Sequence, residues 1–156
     1  RGNVDTRIKK LENGDYDALL LSKAGIEALG LDNKITQEFN TEELIPCAGQ
    51  GIIAIQCREN DQEIINILEK INDNQSRIIA NAERNVLKIL EGDCDTAVGV
   101  YAKIIKDIVN IKAELFSVDG KQRFYVHESE NEKMINDLSI KIGEKLKSES
   151  KGSYKR

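Results

Sequence analysis

The order of a long helical pattern followed by strand-like runs constrains the fold of this chain more than any other feature. Apolar residues recur at helical spacing over about 74–90. Three strand-like runs follow at 97–105, 108–117 and 122–128, and an Asp-Gly pair typical of hairpin turns joins the last two. A last helical pattern covers about 131–147. We therefore predict a small three-stranded sheet that helices cover on one face.

The part of the chain before this pattern indicates α/β organisation. A helix is predicted to begin near Val4 and to end at Asn13-Gly14. The apolar run 16–21 has the length of a buried strand, and a second short helix is predicted over about 23–29. With the sheet and helices that follow, we expect a fold of the α/β (α+β) class.

The only proline of the chain marks a change of element. Pro46 is followed by Gly49-Gln50-Gly51 and then by the apolar run 52–55, which we interpret as a strand. The glycines also fit the loose GxGxxG/A form of a dinucleotide-binding turn, but that turn needs a strand before it and a helix after it. We therefore predict that Gly49-Gln50-Gly51 is a hinge. An amphipathic helix is predicted over about 61–71.

Composition narrows the possible functions. The net charge of −4 argues against a general nucleic-acid partner. No apolar run has the length needed to cross a bilayer, so no membrane role is expected. The three cysteines, Cys47, Cys57 and Cys94, indicate neither a disulfide framework nor a CxxC metal pair, and the single histidine, His127, cannot build a His-rich metal site. We expect a cytoplasmic protein without a metal centre.

Cys94 is the most informative single residue, because it lies between the predicted long helix and the first strand of the predicted sheet. A thiol at such a corner is held by rigid elements and can remain accessible to a small molecule. Asp93 and Asp95 argue against its complete burial, although their carboxylates also disfavour the reactive thiolate. From the residues alone, a carrier thiol and a small buried hydrophobic residue are both open. Cys47 and Cys57 are interpreted as structural.

Arg1 and Arg7 stand on either side of a predicted helix start. Guanidinium groups near a helix N-terminus make a receptor for carboxylates or phosphates, because their donors add to the exposed backbone N–H groups. Two solvated surface arginines would show the same spacing, and the residues alone leave this alternative open.

Taken in order, these motifs resemble the porphobilinogen deaminase family, also called hydroxymethylbilane synthase. The resemblance extends over nearly the whole chain up to the last helix. The segments that carry it are Arg1-Gly2-Asn3-Val4-Asp5-Thr6-Arg7, Tyr16-Asp17-Ala18, Ala24-Gly25-Ile26, Leu29-Gly30-Leu31, Pro46, Gly49-Gln50-Gly51, Cys57-Arg58, Glu83-Arg84, Leu90-Glu91-Gly92-Asp93-Cys94, Gly99, Tyr101 and Ala102. Asp93 stands where many members have a glycine, and Ala28 where many have a basic residue.

The resemblance implies a three-domain enzyme, a transferase of tetrapyrrole (haem) biosynthesis that joins four porphobilinogen molecules into hydroxymethylbilane and releases ammonia. It also implies a dipyrromethane cofactor that is held by a thioether, with Cys94 at the attachment position. Arg1 and Arg7 match arginines that bind the acetate and propionate groups of the cofactor and of the growing pyrrole chain. Bidentate arginines suit such carboxylates.

By the same resemblance, we expect the rear part of the second domain over 1–45 and a hinge and return segment of the first domain over 46–70. The third domain, with Cys94, is expected over 71–148, and a flexible tail over 149–156. The catalytic aspartate of the family lies in a part that this chain does not contain, so the chain alone is expected to have no catalytic residue and no activity. The parent is expected to be a monomer, whereas this chain can self-associate through an unpaired sheet edge.

Two other classes of function remain open from the sequence. A non-catalytic module that binds an acidic small molecule through Arg1 and Arg7 predicts reversible binding and an unmodified Cys94. A thiol redox sensor predicts ready oxidation of Cys94 and a nearby resolving cysteine, although the acidic neighbours of Cys94 disfavour it. A covalent pyrrole adduct on Cys94 distinguishes the deaminase from both alternatives.

Overall fold

The computed structural model describes residues 2–93 and 95–155. The chain divides into two compact units, Arg1–Asn40 and Thr41–Arg156. The first unit is small and helical, whereas the second contains a sheet, the longer helices and the main hydrophobic core.

The first unit contains short helices joined by irregular segments. Its helices are α1 (Val4–Glu12), α2 (Lys23–Glu27) and a 3-10 helix (Asp32–Lys34). α1 has an acidic residue in its first turn and two lysines in its last turn, which suits the helix dipole, and it buries Ile8. The helices predicted in this part of the chain are therefore confirmed.

The predicted strand over 16–21 is wrong. The backbone of this run has no strand pairing, and Leu20 is 58% exposed. A strand needs a neighbour that completes its backbone hydrogen bonds, and the strands among the described residues all belong to the second unit. An apolar run alone was therefore not sufficient to form a strand here.

The second unit is built on an antiparallel three-stranded sheet. Its strands, which are neighbours in chain order, are β1 (Val98–Ile105), β2 (Ile108–Phe116) and β3 (Arg123–Asn131). Lys106 and Asp107 have φ angles of 48° and 64°, as a two-residue hairpin loop between β1 and β2 requires. At the Asp-Gly turn between β2 and β3, the Ser117 N–H donates to the Gln122 carbonyl at 3.0 Å. The predicted strands and turn are confirmed.

Helices cover one face of this sheet. The covering helices are α4 (Asn74–Leu90) and α5 (Ile135–Ser150). The second unit also contains α3 (Gln62–Glu69) and a 3-10 helix (Glu132–Met134). Asp61 and Asp73 are the N-caps of α3 and α4, where their carboxylates accept the N–H groups of Ile64 and Ser76. α4 and α5 pack against each other and against the sheet. The predicted fold class and its layer of helices are therefore confirmed.

The core of the second unit lies between the sheet and these helices. Alternate residues of β2 face the helices, as the period of a strand requires. The fully buried side chains of the core include Val86, Leu90, Val100, Val109, Ile111, Leu115, Ile142 and Leu146. α4 and α5 approach closely at Gly143, where an added Cβ would lie 2.8 Å from the Cβ of Ile89. This crossing therefore requires a glycine.

The predicted strand over 52–55 is also wrong. Its backbone has no strand pairing, and Ile53 is 89% exposed. The physical reason is the same as for 16–21, because the described residues place no strand beside it. The amphipathic helix predicted over 61–71 is confirmed by α3.

Within the flexible tail predicted over 149–156, the structure describes residues 149–155 and differs from the prediction there. α5 continues to Ser150, and Tyr154 is only 5% exposed. Lys151 and Gly152 have positive φ and turn the chain back, so that the Tyr154 hydroxyl reaches the end of α4. A polar composition suggested a loose segment, but one buried aromatic side chain holds it in place.

Candidate functional site

The candidate site begins where α4 ends, just before position 94. The left-handed residue that ends the helix is Glu91, with a φ of 55°, and Gly92 follows it. The Glu91 N–H donates to the Lys88 carbonyl at 3.1 Å, and the Gly92 N–H donates to the Leu87 carbonyl at 3.0 Å. The chain therefore leaves the helix in a defined direction.

A hydrogen-bonded turn around Asp93 leads from α4 to β1. The Asp93 carboxylate accepts the Asp95 N–H at 2.9 Å and the Thr96 hydroxyl at 3.1 Å. The Asp95 N–H, followed by the Thr96 hydroxyl, lowers the pKa of the Asp93 carboxyl. The Asp93 N–H in turn donates to the Thr96 hydroxyl oxygen at 3.0 Å. A glycine at this position has no carboxylate that could accept the Asp95 N–H or the Thr96 hydroxyl. The aspartate therefore stabilises the turn through two additional hydrogen bonds.

The predicted attachment residue, Cys94, lies outside the described residues, as does Arg1. Their predicted roles stay predictions. The described neighbours of position 94, Asp93 and Asp95, are both exposed to solvent. The structure thus defines the two flanks of the candidate attachment position, with α4 before it and β1 after it.

Arg7 belongs to α1 of the first unit and is half-buried. The ion pairs of the first unit are made by lysines, and among the described residues none involves the Arg7 guanidinium. A guanidinium without an internal acidic partner can bind the carboxylate of a ligand. This geometry is compatible with the predicted role of Arg7, which stays a prediction.

The predicted hinge residues form a tight turn. Gly49 and Gly51 have φ angles of 78° and 82°, a backbone conformation that glycine adopts without strain. The Gln50 N–H donates to the Cys47 carbonyl at 3.0 Å. The division between the two units falls between residues 40 and 41, ahead of this turn. The hinge function of Gly49-Gln50-Gly51 stays a prediction.

A buried carboxylate fastens this turn to the sheet. Glu83 of α4 is 4% exposed, and its two oxygens accept the N–H of Gly49 at 2.7 Å and the N–H of Ala102 at 2.8 Å. Burial raises the pKa of Glu83, while the two hydrogen bonds oppose that rise. Glu83 therefore connects three elements, because Gly49 lies in the turn and Ala102 lies in β1.

The sequence contains a signal for Glu83 that sequence reasoning missed. Ile79, Val86 and Leu90 lie on the same helix face as Glu83, at spacings of three or four residues. A carboxylate within such an apolar stripe is a candidate for a buried group, and buried polar groups are nearly always hydrogen-bonded. In the sequence, Glu83 stood out only as part of a segment that resembles the family.

The chain before the turn lies against β1. The Pro46 carbonyl accepts the Val100 N–H at 2.9 Å. Gly99 permits this approach, because a Cβ at that position would lie 2.6 Å from the Ile45 carbonyl oxygen. The β1 edge is thus partly covered by backbone from 45–46, and it receives a further partner from Glu83.

Some arrangements are absent from the part of the chain that the structure describes. Within residues 2–93 and 95–155, no three His, Cys, Asp or Glu side chains are grouped so that they could hold a metal ion. Over the same ranges, no helix combines the length and apolar character needed to span a membrane. After Gly51 the next helix begins only at Gln62, so the glycine turn lacks the adjoining helix of a dinucleotide site.

Comparisons with known proteins agree with the resemblance seen in the sequence. The family model described as "Porphobilinogen deaminase, dipyromethane cofactor binding domain" matches residues 1–66, and the model "Porphobilinogen deaminase, C-terminal domain" matches residues 78–148. A porphobilinogen deaminase from Exiguobacterium sibiricum is 44% identical over 124 residues, which are 78% of this chain and 40% of the relative. A protein of the same name from Francisella tularensis subsp. novicida is 39% identical over 157 residues, 99% of this chain and 50% of the relative.

The chain spans about half the length of the curated relatives it matches. The range of the first family model includes Arg1, Arg7 and the turn at 49–51. The range of the second includes Glu83 and Cys94. The candidate residues therefore fall within the two matched ranges.

Proposed function

Since the chain belongs to the porphobilinogen deaminase family, we propose that it is part of a transferase that condenses four porphobilinogen molecules into hydroxymethylbilane, with release of ammonia, in tetrapyrrole (haem) biosynthesis. This proposal depends on one observation. Two domain models of the same enzyme family match consecutive parts of the chain, residues 1–66 and residues 78–148. A relative of this name that aligns over 99% of the chain supports it.

A dipyrromethane cofactor, attached to Cys94 by a thioether, is part of the proposal. The cofactor-binding family model over 1–66 supports it. The described residues fit such a group. Each pyrrole unit carries two carboxylates, and the Arg7 guanidinium, which forms no ion pair with a described residue, can bind one of them. When bound, the cofactor supplies the pyrrole primer to which further units are added.

The residues of this chain hold and orient the pyrrole groups. Arg7, together with Arg1, binds their carboxylates through paired donors that a guanidinium presents in a fixed plane. The turn around Asp93 sets the direction in which the attachment position leaves α4. Anchoring at this turn makes each addition an oriented event within one molecule, which lowers its entropic cost.

We assign no turnover to this chain by itself. It spans about half the length of its relatives, and the catalytic aspartate of the family belongs to the part that it does not contain. The same proposal assigns 1–45 to the second domain, 46–70 to a hinge and return segment of the first domain, and 71–148 to the third domain. Incubation with porphobilinogen should release no catalytic quantity of ammonia, and repeated turnover would contradict this assignment.

Intact mass spectrometry of the parent enzyme after incubation with porphobilinogen tests the attachment, because this chain by itself is assigned no deaminating activity. We expect a mass gain of two pyrrole units that peptide mapping places on Cys94 and that Cys94→Ser abolishes. Cys47→Ser and Cys57→Ser are matched controls, since Cys47 is exposed and Cys57 is half-buried, and both variants should still carry the adduct. Reversible binding to an unmodified chain would favour the acidic-ligand module, and ready disulfide formation at Cys94 would favour the redox sensor.

Calorimetric titration with porphobilinogen tests the role of Arg7. A hydrogen bond to a charged group contributes about 1.5–3 kcal/mol, so Arg7→Gln should weaken binding by about 10- to 150-fold. Arg58→Gln is the matched control, because the Arg58 side chain is 88% exposed and pairs with Asp61. Equal affinities of the two variants would contradict the assignment of Arg7.

We also propose a cytoplasmic, monomeric parent and self-association of this chain. The apolar side chains of Ile53, Ile55, Ile67 and Ile71 are 89%, 59%, 49% and 66% exposed, which favours association in water. Sedimentation velocity should show a species heavier than the monomer that declines on dilution. Ile53→Lys should reduce this species, and a monomer at every concentration would contradict the proposal.

A further inference from the structure

The end of α4 needs hydrogen-bond partners from outside the helix. The last four carbonyls of an α-helix accept no N–H group from within it. In α4 these carbonyls belong to Leu87, Lys88, Ile89 and Leu90. The first two accept the N–H groups of Gly92 and Glu91, which follow directly in the chain. Among residues 2–93 and 95–155, no backbone N–H group donates to the other two.

Side chains from the last part of the chain complete these bonds. Lys147 Nζ donates to the Ile89 carbonyl at 3.0 Å, and the Tyr154 hydroxyl donates to the last carbonyl of the helix at 2.9 Å. Lys147 and Lys155 both pair with the Glu91 carboxylate. Hydrogen bonds from Lys155 and then from Lys147 lower the pKa of Glu91. Lys147, Tyr154 and Lys155 together are termed the terminal clamp.

The terminal clamp binds next to a residue with an unfavourable backbone conformation. Glu91 is in the left-handed conformation, where glycine is the usual residue and a side chain is disfavoured. The two lysines hold the carboxylate of this residue through ion pairs. Tyr154 is 5% exposed, so its hydroxyl bond forms in surroundings of low dielectric, where a hydrogen bond is stronger than at the surface.

We propose that the terminal clamp positions the described residues of the turn, 91–93 and 95–97, with Tyr154 as its principal positioning residue. The consequence for cofactor attachment rests on the proposed function, whereas the positioning of the turn does not. The family model of the C-terminal domain ends at residue 148. Tyr154 and Lys155 therefore add a determinant of this turn from outside the range that the family match covers.

Amide hydrogen exchange of the 156-residue chain, resolved by NMR, tests the proposal. Tyr154→Phe removes the hydroxyl and keeps the buried ring. We expect the Gly92 and Thr96 N–H groups to exchange about tenfold faster. The N–H of Ile111, in the centre of β2, should change by less than about twofold. Tyr125→Phe is the matched control at an exposed strand position and should change none of these rates.

Equal acceleration at Gly92 and Ile111 would overturn the proposal, because it would show that Tyr154 contributes only to global stability. Unchanged exchange at Gly92 would overturn it as well. Lys155→Met is a second variant with an exposed side chain, and it should speed Gly92 exchange about threefold, while Lys155→Arg should restore it. None of these measurements uses porphobilinogen, so their failure is distinct from a failure of attachment at Cys94.

Discussion

Glu83→Gln should weaken the second unit, because glutamine has nearly the same shape as glutamate but only one acceptor oxygen. The carboxylate accepts the N–H groups of Gly49 and Ala102. In the variant, one of these N–H groups faces an NH₂ group and loses its acceptor. A buried donor without a partner costs about 1–3 kcal/mol. We expect a loss of this size in the free energy of unfolding at acidic pH, where Glu83 is protonated but its hydroxyl oxygen, unlike the NH₂ group of glutamine, still has acceptor lone pairs.

This loss should become smaller as the pH rises. Burial raises the pKa of Glu83 above the ordinary value of a glutamate, which is about 4.3. The folded state therefore keeps its proton to a higher pH than the unfolded state does. The wild-type chain consequently loses stability as the pH rises from the ordinary value through the folded pKa. Glutamine does not titrate, so the two unfolding free energies should approach each other toward neutral pH.

Urea unfolding, followed by circular dichroism from about pH 4 to about pH 8, measures this difference. Glu144→Gln is the matched control, because Glu144 is an exposed glutamate of α5. A difference between wild type and Glu83→Gln that grows with rising pH would refute the reasoning, since the hydrogen bonds rather than burial would then dominate the pKa. Faster exchange of the Gly49 N–H in the variant would locate the effect at the turn.

Three further substitutions test close contacts and a charged turn. Gly99→Ala places a Cβ 2.6 Å from the Ile45 carbonyl oxygen, so urea unfolding should show a loss of about 1–3 kcal/mol, and an unchanged midpoint would contradict the contact. Gly143→Ala should lower the Tm because its Cβ meets Ile89, even though alanine normally favours a helix over glycine by about 1 kcal/mol. Adding Ile89→Ala should recover part of this loss. Losses of stability that simply add in the double variant would argue against the clash. Asp93→Asn removes a carboxyl whose pKa is lowered chiefly by a backbone N–H. The wild type should therefore lose stability as the pH falls through that pKa while the variant does not, and identical acid titrations of the two chains would count against this.

The longer elements of the second unit follow from local sequence pattern. α4 begins at Asn74 and ends at Leu90, as predicted, because Asp73 caps its start and an apolar stripe runs along it. The strands and the Asp-Gly turn are equally local, since each strand pairs with the next one in the chain. Elements whose partners are close in sequence can be read from the sequence.

Apolar runs were a weaker guide than periodic patterns. The runs 16–21 and 52–55 have the composition of buried strands, but neither pairs with another strand in the described structure. Apolar composition indicates that burial is favourable, and it does not reveal which element supplies that burial. Strand pairing is a non-local interaction, so a single run cannot specify it.

The candidate site could be predicted only in part. Motif order draws attention to Arg7, Cys94 and the glycine turn, and the structure defines the surroundings of the first and third of these. Glu83 and Tyr154, by contrast, act on backbone groups that lie 19 and 64 residues away in the chain. No local pattern reveals such partners, and only a buried carboxylate or a lone aromatic residue in a polar tail hints at them.

The distance of 64 residues between Leu90 and Tyr154 also bears on the synthesis of the chain. A ribosome adds about 5–20 residues per second, so the end of α4 exists for roughly 3–13 seconds before its last hydrogen-bond donor has been made. The hairpins of the sheet can form as they emerge, because each strand needs only its immediate successor. The corner between α4 and β1 therefore gains this hydrogen bond only after Tyr154 has left the exit tunnel.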